Sequence, residues 1–447
     1  MKAAAHKYTF LSLAANLSAV ILALMPFHAL LTVWLSRGLG HYTALRLWKE
    51  VIVLLIALAV FYLLLTDKKI RTHTLTRRLV WLVIIYGGLQ LVIGVISFRA
   101  GSVTPKALGY GLLVNLRFLG FFLLVWATAL RTCRLKTNWQ KLLLWPAGVV
   151  VAFGLLQLLV LPTDFLRHFG YGAGTILPFE TVNNNREYVR IASTLRGPNP
   201  LGAYLIIPAT ALLVLGLRAT RKWRFGLFLA ATLVVLAASF SRSALLGALV
   251  SFGVVCLVLA RSKRAKTHVL AAGIGLVLIV VIGAVVVHKS TQLENIVLHT
   301  QTKSPAAVSS NQGHLQSLSS AVHDIVHQPL GRGPGTAGPA SVYNHGKARI
   351  AENYFLQLGQ EIGIFGAGLF MLIVGGVGYL LWIRRADPLA LTLVASLIGL
   401  TLVNLLSHAW ADDTLAYVWW GLAGVALANL PVVPVPVVVP EAITHAD

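Results

Sequence analysis

The chain has 447 residues, of which 57% are hydrophobic and 11% charged, and its mean hydropathy is +0.78. That balance excludes an ordinary soluble domain, in which about a quarter of the residues carry charge. The 37 Lys and Arg against 14 Asp and Glu leave a formal net charge of +23, so the placement of the positive residues has to be explained.

Apolar runs near the length of a membrane-crossing helix fall at roughly 8–35, 49–65, 79–97, 108–130, 141–161, 199–217, 224–238, 244–260, 268–287, 364–383, 388–407 and 413–430. Such long, unbroken runs read as helices, because hydrocarbon demands that every backbone polar group be satisfied within the segment. The expected fold is therefore an all-α integral membrane protein with about twelve transmembrane helices and two long extracytoplasmic loops, the second containing amphipathic helices. Helices 1–5 occupy 1–161, the first long loop 162–198, helices 6–9 199–287, the large loop 288–363, helices 10–12 364–430, and a Pro-rich tail 431–447.

Orientation follows from the basic residues. Alternate short loops carry Lys68, Lys69, Arg71, Arg77 and Arg78; Arg131, Arg134, Lys136 and Lys141; Arg218, Arg221, Lys222 and Arg224; Arg261, Lys263, Arg264 and Lys266; and Arg384 with Arg385. Loops of this kind stay cytoplasmic. With Lys2 and Lys7 on the same side, both termini are expected in the cytoplasm and the intervals 162–198 and 288–350 outside. Much of the charge is thus topological, and scattered clusters beside headgroups point to the lipid bilayer as partner rather than to nucleic acid. Arg37-Gly38-Leu39-Gly40 does not read as a cleavage site, so the first span is expected to stay. Cys133 falls in an inside loop and Cys256 within a span, so no disulfide is expected and neither thiol reads as catalytic.

Lys49 and Glu50 read as an interfacial pair with no assigned role. Arg117, with Asn115, lies inside a predicted span and needs an internal partner or a wet cavity; it is read as the one deep charge, with acidic residues avoiding the spans. The first outer loop carries Asp164, Arg167, Glu180, Arg186, Glu187, Arg190 and Arg196 and ends at Gly197-Pro198-Asn199-Pro200. Its prolines fix an extended turn, and Asn199 is expected to cap the next helix. Ser239-Phe240-Ser241-Arg242-Ser243 joins two spans so tightly that Arg242 is held at a defined depth. An arginine there is either an interfacial anchor or a ligand for a lipid-linked phosphate, whose oxygens match the forked guanidinium. Arg190, Arg196 and Arg242 on one face, with the hydroxyls of Ser241 and Ser243 beside them, favour the second.

In the large loop, Leu315, Leu318, Val322, Ile325 and Val326 recur at helical spacing before Pro329 and predict a helix lying flat with its apolar side down. Its polar remainder includes His314, His323, Asp324 and His327. His323 and His327 have the spacing of a zinc helix, but an aspartate stands between them and no third ligand is placed, so no metal is expected. Leu330-Gly331-Arg332-Gly333-Pro334-Gly335-Thr336 lacks the Lys-Ser/Thr pair of a nucleotide loop and reads as a tight turn. Glu352 opens the next helix, whose Tyr354, Phe355, Leu358 and Ile362 form the apolar side and leave Glu352 and Asn353 pointing elsewhere. Alone, such a carboxylate is only a favourable partner of the helix dipole.

Taken in order, four stretches resemble motifs of the O-antigen ligase and polymerase superfamily of bacterial membrane glycosyltransferases. They are Arg190 through Gly202, the hairpin Ser239 through Ser243, the turn Pro329 through Gly335, and Glu352-Asn353-Tyr354-Phe355-Leu356-Gln357-Leu358 through Gly363. The resemblance implies transfer of a glycan from an undecaprenyl-diphosphate-linked donor to an acceptor hydroxyl on a glycan, lipid (lipid A-core or similar) or protein. The reaction would run on the outer face of the cytoplasmic (inner) membrane, inverting, without cofactor, nucleotide or metal. It further implies Glu352 as general base, with Arg190 and Arg242 binding the diphosphate and stabilising it as it leaves. Arg196, Asn199, Ser241, Ser243, Asn353 and Arg332 are the candidate substrate-binding residues, and Arg117 and His314 complete the set. Ligases of this superfamily often have histidine where Glu352 stands, which keeps a repeat-unit polymerase and a protein O-oligosaccharyltransferase open beside the ligase. A transporter is the remaining alternative, for which broken helices and midplane charges in both halves would speak.

Overall fold

A computed structural model describes residues 2–75, 77–182, 185–260, 267, 310–346 and 348–428. The expected span at 268–287, loop residues 288–309, the tail 431–447 and Asn183 with Asn184 lie outside the described residues.

Helices α1 (Lys2–Leu24) and α2 (His28–Leu39) are joined through one 3-10 turn. There follow α3 (Trp48–Thr66), α4 (Arg78–Arg99), α5 (Pro105–Ala129), α6 (Arg134–Leu159), α7 (Pro198–Arg218), α8 (Lys222–Ala238) and α9 (Arg242–Leu259). After these come α10 (Ser310–His327), α11 (Tyr354–Ile383), α12 (Pro388–Leu406) and α13 (Asp413–Leu427). Among the described residues, nine helices are long and apolar enough to cross a bilayer. The runs expected at 224–238 and 413–430 are helical too, but α8 has 17 residues and α13 has 15. At 1.5 Å per residue these reach only about 25 and about 22 Å.

The short α13 works as a central pillar. Every residue from Thr414 to Leu427 is buried, so it is sheathed by protein. It lies close against α5, where a Cβ on Gly424 would come within 2.8 Å of the Phe122 carbonyl oxygen. Phe118, Phe122 and Phe370 pack their rings against Trp420, and Trp410 and Trp419 extend the cluster. Such contacts pack this part of the molecule densely.

Helix α11 is broken. Ile362 leaves helical geometry and Gly363 has φ +71°, releasing backbone groups that the turn after α10 takes up. Ile364 N–H donates to the Pro329 carbonyl at 3.0 Å, while Arg332 and Gly333 N–H donate to the carbonyls of Gln360 and Glu361 at 2.9 and 2.7 Å. A break in a helix is tolerated when other protein groups take up the freed backbone donors and acceptors in this way. The glycine pattern follows from the fit: Gly335 has φ +87°, and a Cβ there would lie 2.1 Å from the Ala107 carbonyl oxygen. The tight-turn reading of this segment is therefore the right one.

The all-α expectation gains one small exception, and the docked face of one helix changes. The first outer loop is not purely irregular, since β1 (Glu180–Val182) and β2 (Asn185–Arg190) form an antiparallel hairpin with Glu180 opposite Arg190. Helix α10 does dock, but by another face. Ala321 is buried and Leu318 and Ile325 are half-buried, whereas Leu315, Val322 and Val326 are exposed. Gly359 of α11 sets that face, because its missing side chain admits Ile325.

Candidate functional site

The hairpin between α8 and α9 brings the first cluster together. Phe240 adopts φ +51°, a left-handed turn that ends α8 and restarts the chain at Arg242. Arg190 Nε donates to the Ser239 carbonyl at 3.0 Å and its Nη2 to Asn199 Oδ1 at 2.5 Å; Glu180 pairs with it at 3.7 Å. Burial presses the Arg190 pKa below its usual value; Glu180 opposes this, and nearby Arg242 adds to it. Guanidinium stays charged regardless. The bond to Ser239 thus brings Arg190 to the hairpin that presents Arg242, with Glu180 offsetting one of the two charges. Ser241 is buried beside Arg242 and Ser243 is half-buried.

Asn199 does not cap α7. Gly197 occupies the cap position, Pro198 and Pro200 fit the first turn, and the Asn199 side chain faces Arg190 instead. Proline suits that turn because its missing N–H has no helical partner there.

A second cluster forms around Glu352, which has φ +50° and pairs with His314 Nδ1. Asn353, not Glu352, caps α11, accepting from Leu356 N–H at 3.0 Å, and its amide donates to the Leu405 carbonyl at 3.0 Å. Both ends of Asn353 therefore serve the framework. His408, half-buried in the loop between α12 and α13, feels both Arg196 and Glu352. Burial pushes its pKa down to about 4; Arg196 adds to this and Glu352 opposes it.

A cavity of about 480 Å³ is lined by residues from both long loops. Tyr42, Arg46 and Tyr110 line it, with Glu180 and Arg196 from the first loop and Pro339 and Tyr343 from the second. Asp412 and Asp413 form part of its floor. Arg196 Nε lies 3.6 Å from Asp412, whose pKa burial raises while Arg196 opposes. A polar track thus runs from Glu352 through His408 and Arg196 to Glu180, Arg190 and Arg242.

Beneath the floor, Arg117 is buried and finds the internal partners its position demands. It pairs with Asp413, lies 3.8 Å from Glu50 and donates to the Ala411 carbonyl at 3.0 Å. Lys49, itself buried, is 3.0 Å from Asp413 and 3.1 Å from Glu50, and His28 is 3.4 Å from Asp413. The expectation that Lys49 and Glu50 form a simple interfacial pair is overturned, because both belong to a buried network whose charges survive only by pairing. Nor is Arg117 the one deep charge. Glu361 is fully buried beside the break in α11, accepting from Gly335 N–H at 2.9 Å and from Asn115 Nδ2 at 2.7 Å.

Arg332 stands apart from both clusters. It pairs with Asp324 at 3.1 Å and bonds Gln328. Asp324 also accepts from Gln360 at 2.8 Å, so it faces α11 while His323 and His327 stack on each other on the exposed side. The sequence reading missed Glu180, His408, Asp412 and Asp413. The polar interruption Ser407-His408 with Asp412-Asp413 before an apolar run was the available signal.

These features define a multi-pass helical membrane protein with a polar cavity lined by both arginines and carboxylates. Residues 226–371 match the family model described as O-antigen ligase. That match supports the O-antigen ligase and polymerase superfamily that the chain's motifs resemble. The match contains Arg242, His314, Arg332, Glu352 and Asn353, and covers less than half of the chain. No curated protein matches the chain.

Proposed function

We propose that the protein transfers a glycan from a polyprenyl diphosphate, of the undecaprenyl type, to an acceptor hydroxyl at the extracytoplasmic face of the cytoplasmic membrane. The observation that carries this reading is the anchoring of Arg190 to the Ser239 carbonyl of the hairpin that presents Arg242, with its partner Glu180 lining the 480 Å³ cavity, and with the family-model match extending over Arg242 and Glu352. A diphosphate leaving group gathers negative charge as the glycosidic bond breaks, and two preorganised guanidinium groups meet that demand. Glu352, steered by His314, accepts the acceptor hydroxyl's proton while that oxygen attacks the anomeric carbon from the opposite face, inverting it. Arg196 orients the substrate across the cavity. Asn199 positions Arg190, and Ser241 and Ser243 offer hydroxyls beside the leaving phosphates.

The acceptor in this reading is lipid A-core, which makes the protein a ligase; a repeat-unit polymerase or protein O-oligosaccharyltransferase would use the same site with another acceptor. Purified protein given a short undecaprenyl-diphosphate oligosaccharide should release undecaprenyl diphosphate when an acceptor is present. Arg242→Ala and Glu352→Ala should each lower that rate by about 10²–10³-fold, with unchanged melting in detergent. Wild-type rates in both folded variants would sink the proposed site.

A further inference from the structure

A second cavity, of about 320 Å³, opens beside the α10 turn. Hydroxyls of Ser102, Thr336 and Ser341 and amides of Gln328 and Asn344 make one part of its wall. Arg332, Arg349 and His345 complete it. Every lining side chain is polar and none is a carboxylate. Behind the wall, Asp324 is shared between Arg332 at 3.1 Å and Arg349 at 3.9 Å, so one carboxylate faces two guanidinium groups and the pocket keeps a positive excess. We propose that this pocket is a binding subsite for an anionic sugar, one bearing a carboxylate or phosphate, in the glycan that the enzyme handles.

The chemistry of the wall selects that class. Hydroxyl and amide groups exchange hydrogen bonds with sugar hydroxyls, while a forked guanidinium on an exposed arm suits a carboxylate or phosphate. A lipid chain would find nothing apolar to lie on. The pocket is also built to last: Thr104 Oγ1 donates to the Tyr343 carbonyl at 2.7 Å, Thr104 N–H donates to Asn344 Oδ1 at 3.0 Å, and Asn344 Nδ2 donates to the Ser102 carbonyl at 3.2 Å. These bonds pin the segment Gly338–Tyr343 to the start of α5. Pro339 and Tyr343 of that segment face the larger cavity while Ser341 faces this one, so the two cavities share a wall. From His314, which pairs with Glu352, to Asp324 is ten residues of α10, or about 15 Å. A glycan with its reacting end at Glu352 would place a sugar several units away at the second pocket. This deepens the proposed glycan transfer and rests on it for the identity of the chain bound, but the binding itself is measured without turnover.

The test titrates full-length protein in nanodiscs with trigalacturonate, glucose 6-phosphate and maltotriose by saturation-transfer NMR and microscale thermophoresis. An anionic sugar should bind saturably and more weakly as salt rises, and maltotriose should bind at least about ten-fold more weakly. Arg349→Gln, at an exposed position, should weaken the anionic ligand by about ten-fold, and Arg349→Lys by less. Glu352→Ala should bind it like the wild type, so failed transfer and failed binding are told apart. Absence of saturable binding by both anionic sugars, equal binding of maltotriose, or wild-type affinity in Arg349→Gln would each overturn the subsite.

Discussion

At the residue scale, the candidate site is defined by how charges are held. Arg190 donates to Ser239 and Asn199 and has Glu180 at 3.7 Å, which costs it freedom but leaves it aimed with N–H groups to spare; a lysine would lack the fork that reaches both acceptors. Glu352 is similarly prepared by a left-handed backbone that only glycine, asparagine and aspartate adopt readily, and by His314. His408 gives a measurable sign. Its folded pKa, about 4, lies below the usual 6.5, so the unfolded chain binds the proton first as pH falls. Stability from this group is complete above about pH 6.5 and is lost on descent toward pH 4. Thermal melting in detergent should therefore drop across that window, and His408→Gln should flatten the slope there relative to wild type. A His408→Gln profile parallel to the wild type between pH 6.5 and 4 would contradict the assignment.

At the scale of elements, the sequence announced the helices but not what breaks and pins them. Apolar runs reveal spans because lipid rewards them everywhere along the helix; the hairpin at Ser239–Ser243 was legible as a short polar break between two such runs, and the glycine turn because few residues other than glycine permit positive φ. The break at Ile362–Gly363 was not legible, since its stability comes from Pro329, Arg332 and Gly333, a segment distant in sequence. The docked face of α10 escaped for a like reason: two apolar stripes compete on that helix, and Gly359 on another element decides between them. Glu361 ties the break to the turn. Glu361→Gln places an amide donor against Gly335 N–H or Asn115 Nδ2, which should destabilise the fold by about 1–3 kcal/mol. Gly335→Ala, at φ +87° against Ala107, should destabilise by more than about 1 kcal/mol. Both should lower the melting temperature while the transfer rate per folded molecule stays near wild type; a rate lost in fully stable Glu361→Gln would make Glu361 part of the chemistry instead.

At the scale of the whole molecule, charge divides the bundle into two ends. One end gathers both long loops, the cavity and the clusters around Arg190 and Glu352. The other carries the short basic loops, where Asp67 accepts both Nε and Nη2 of Arg131 at 2.9 and 2.6 Å, and Lys136 pairs with Asp387. The buried network of Arg117, Lys49, Glu50 and Asp413 lies directly beneath the cavity floor, so its cost is met where polar groups already converge. The asymmetry fits basic loops retained in the cytoplasm, and the protein contains its own reporter of that topology. Cys133 is exposed in a basic loop, whereas Cys256 lies along α9. In a Cys256→Ser background, a membrane-impermeant maleimide should leave Cys133 unlabelled in intact cells and label it in inverted vesicles. A cysteine introduced at His345, exposed beside the second cavity, should show the reverse in a variant lacking both native cysteines. Because an impermeant reagent cannot cross the bilayer, labelling of Cys133 from outside would turn the molecule over. The arginine clusters would then face the cytoplasm, and an extracytoplasmic transfer reaction could not use them.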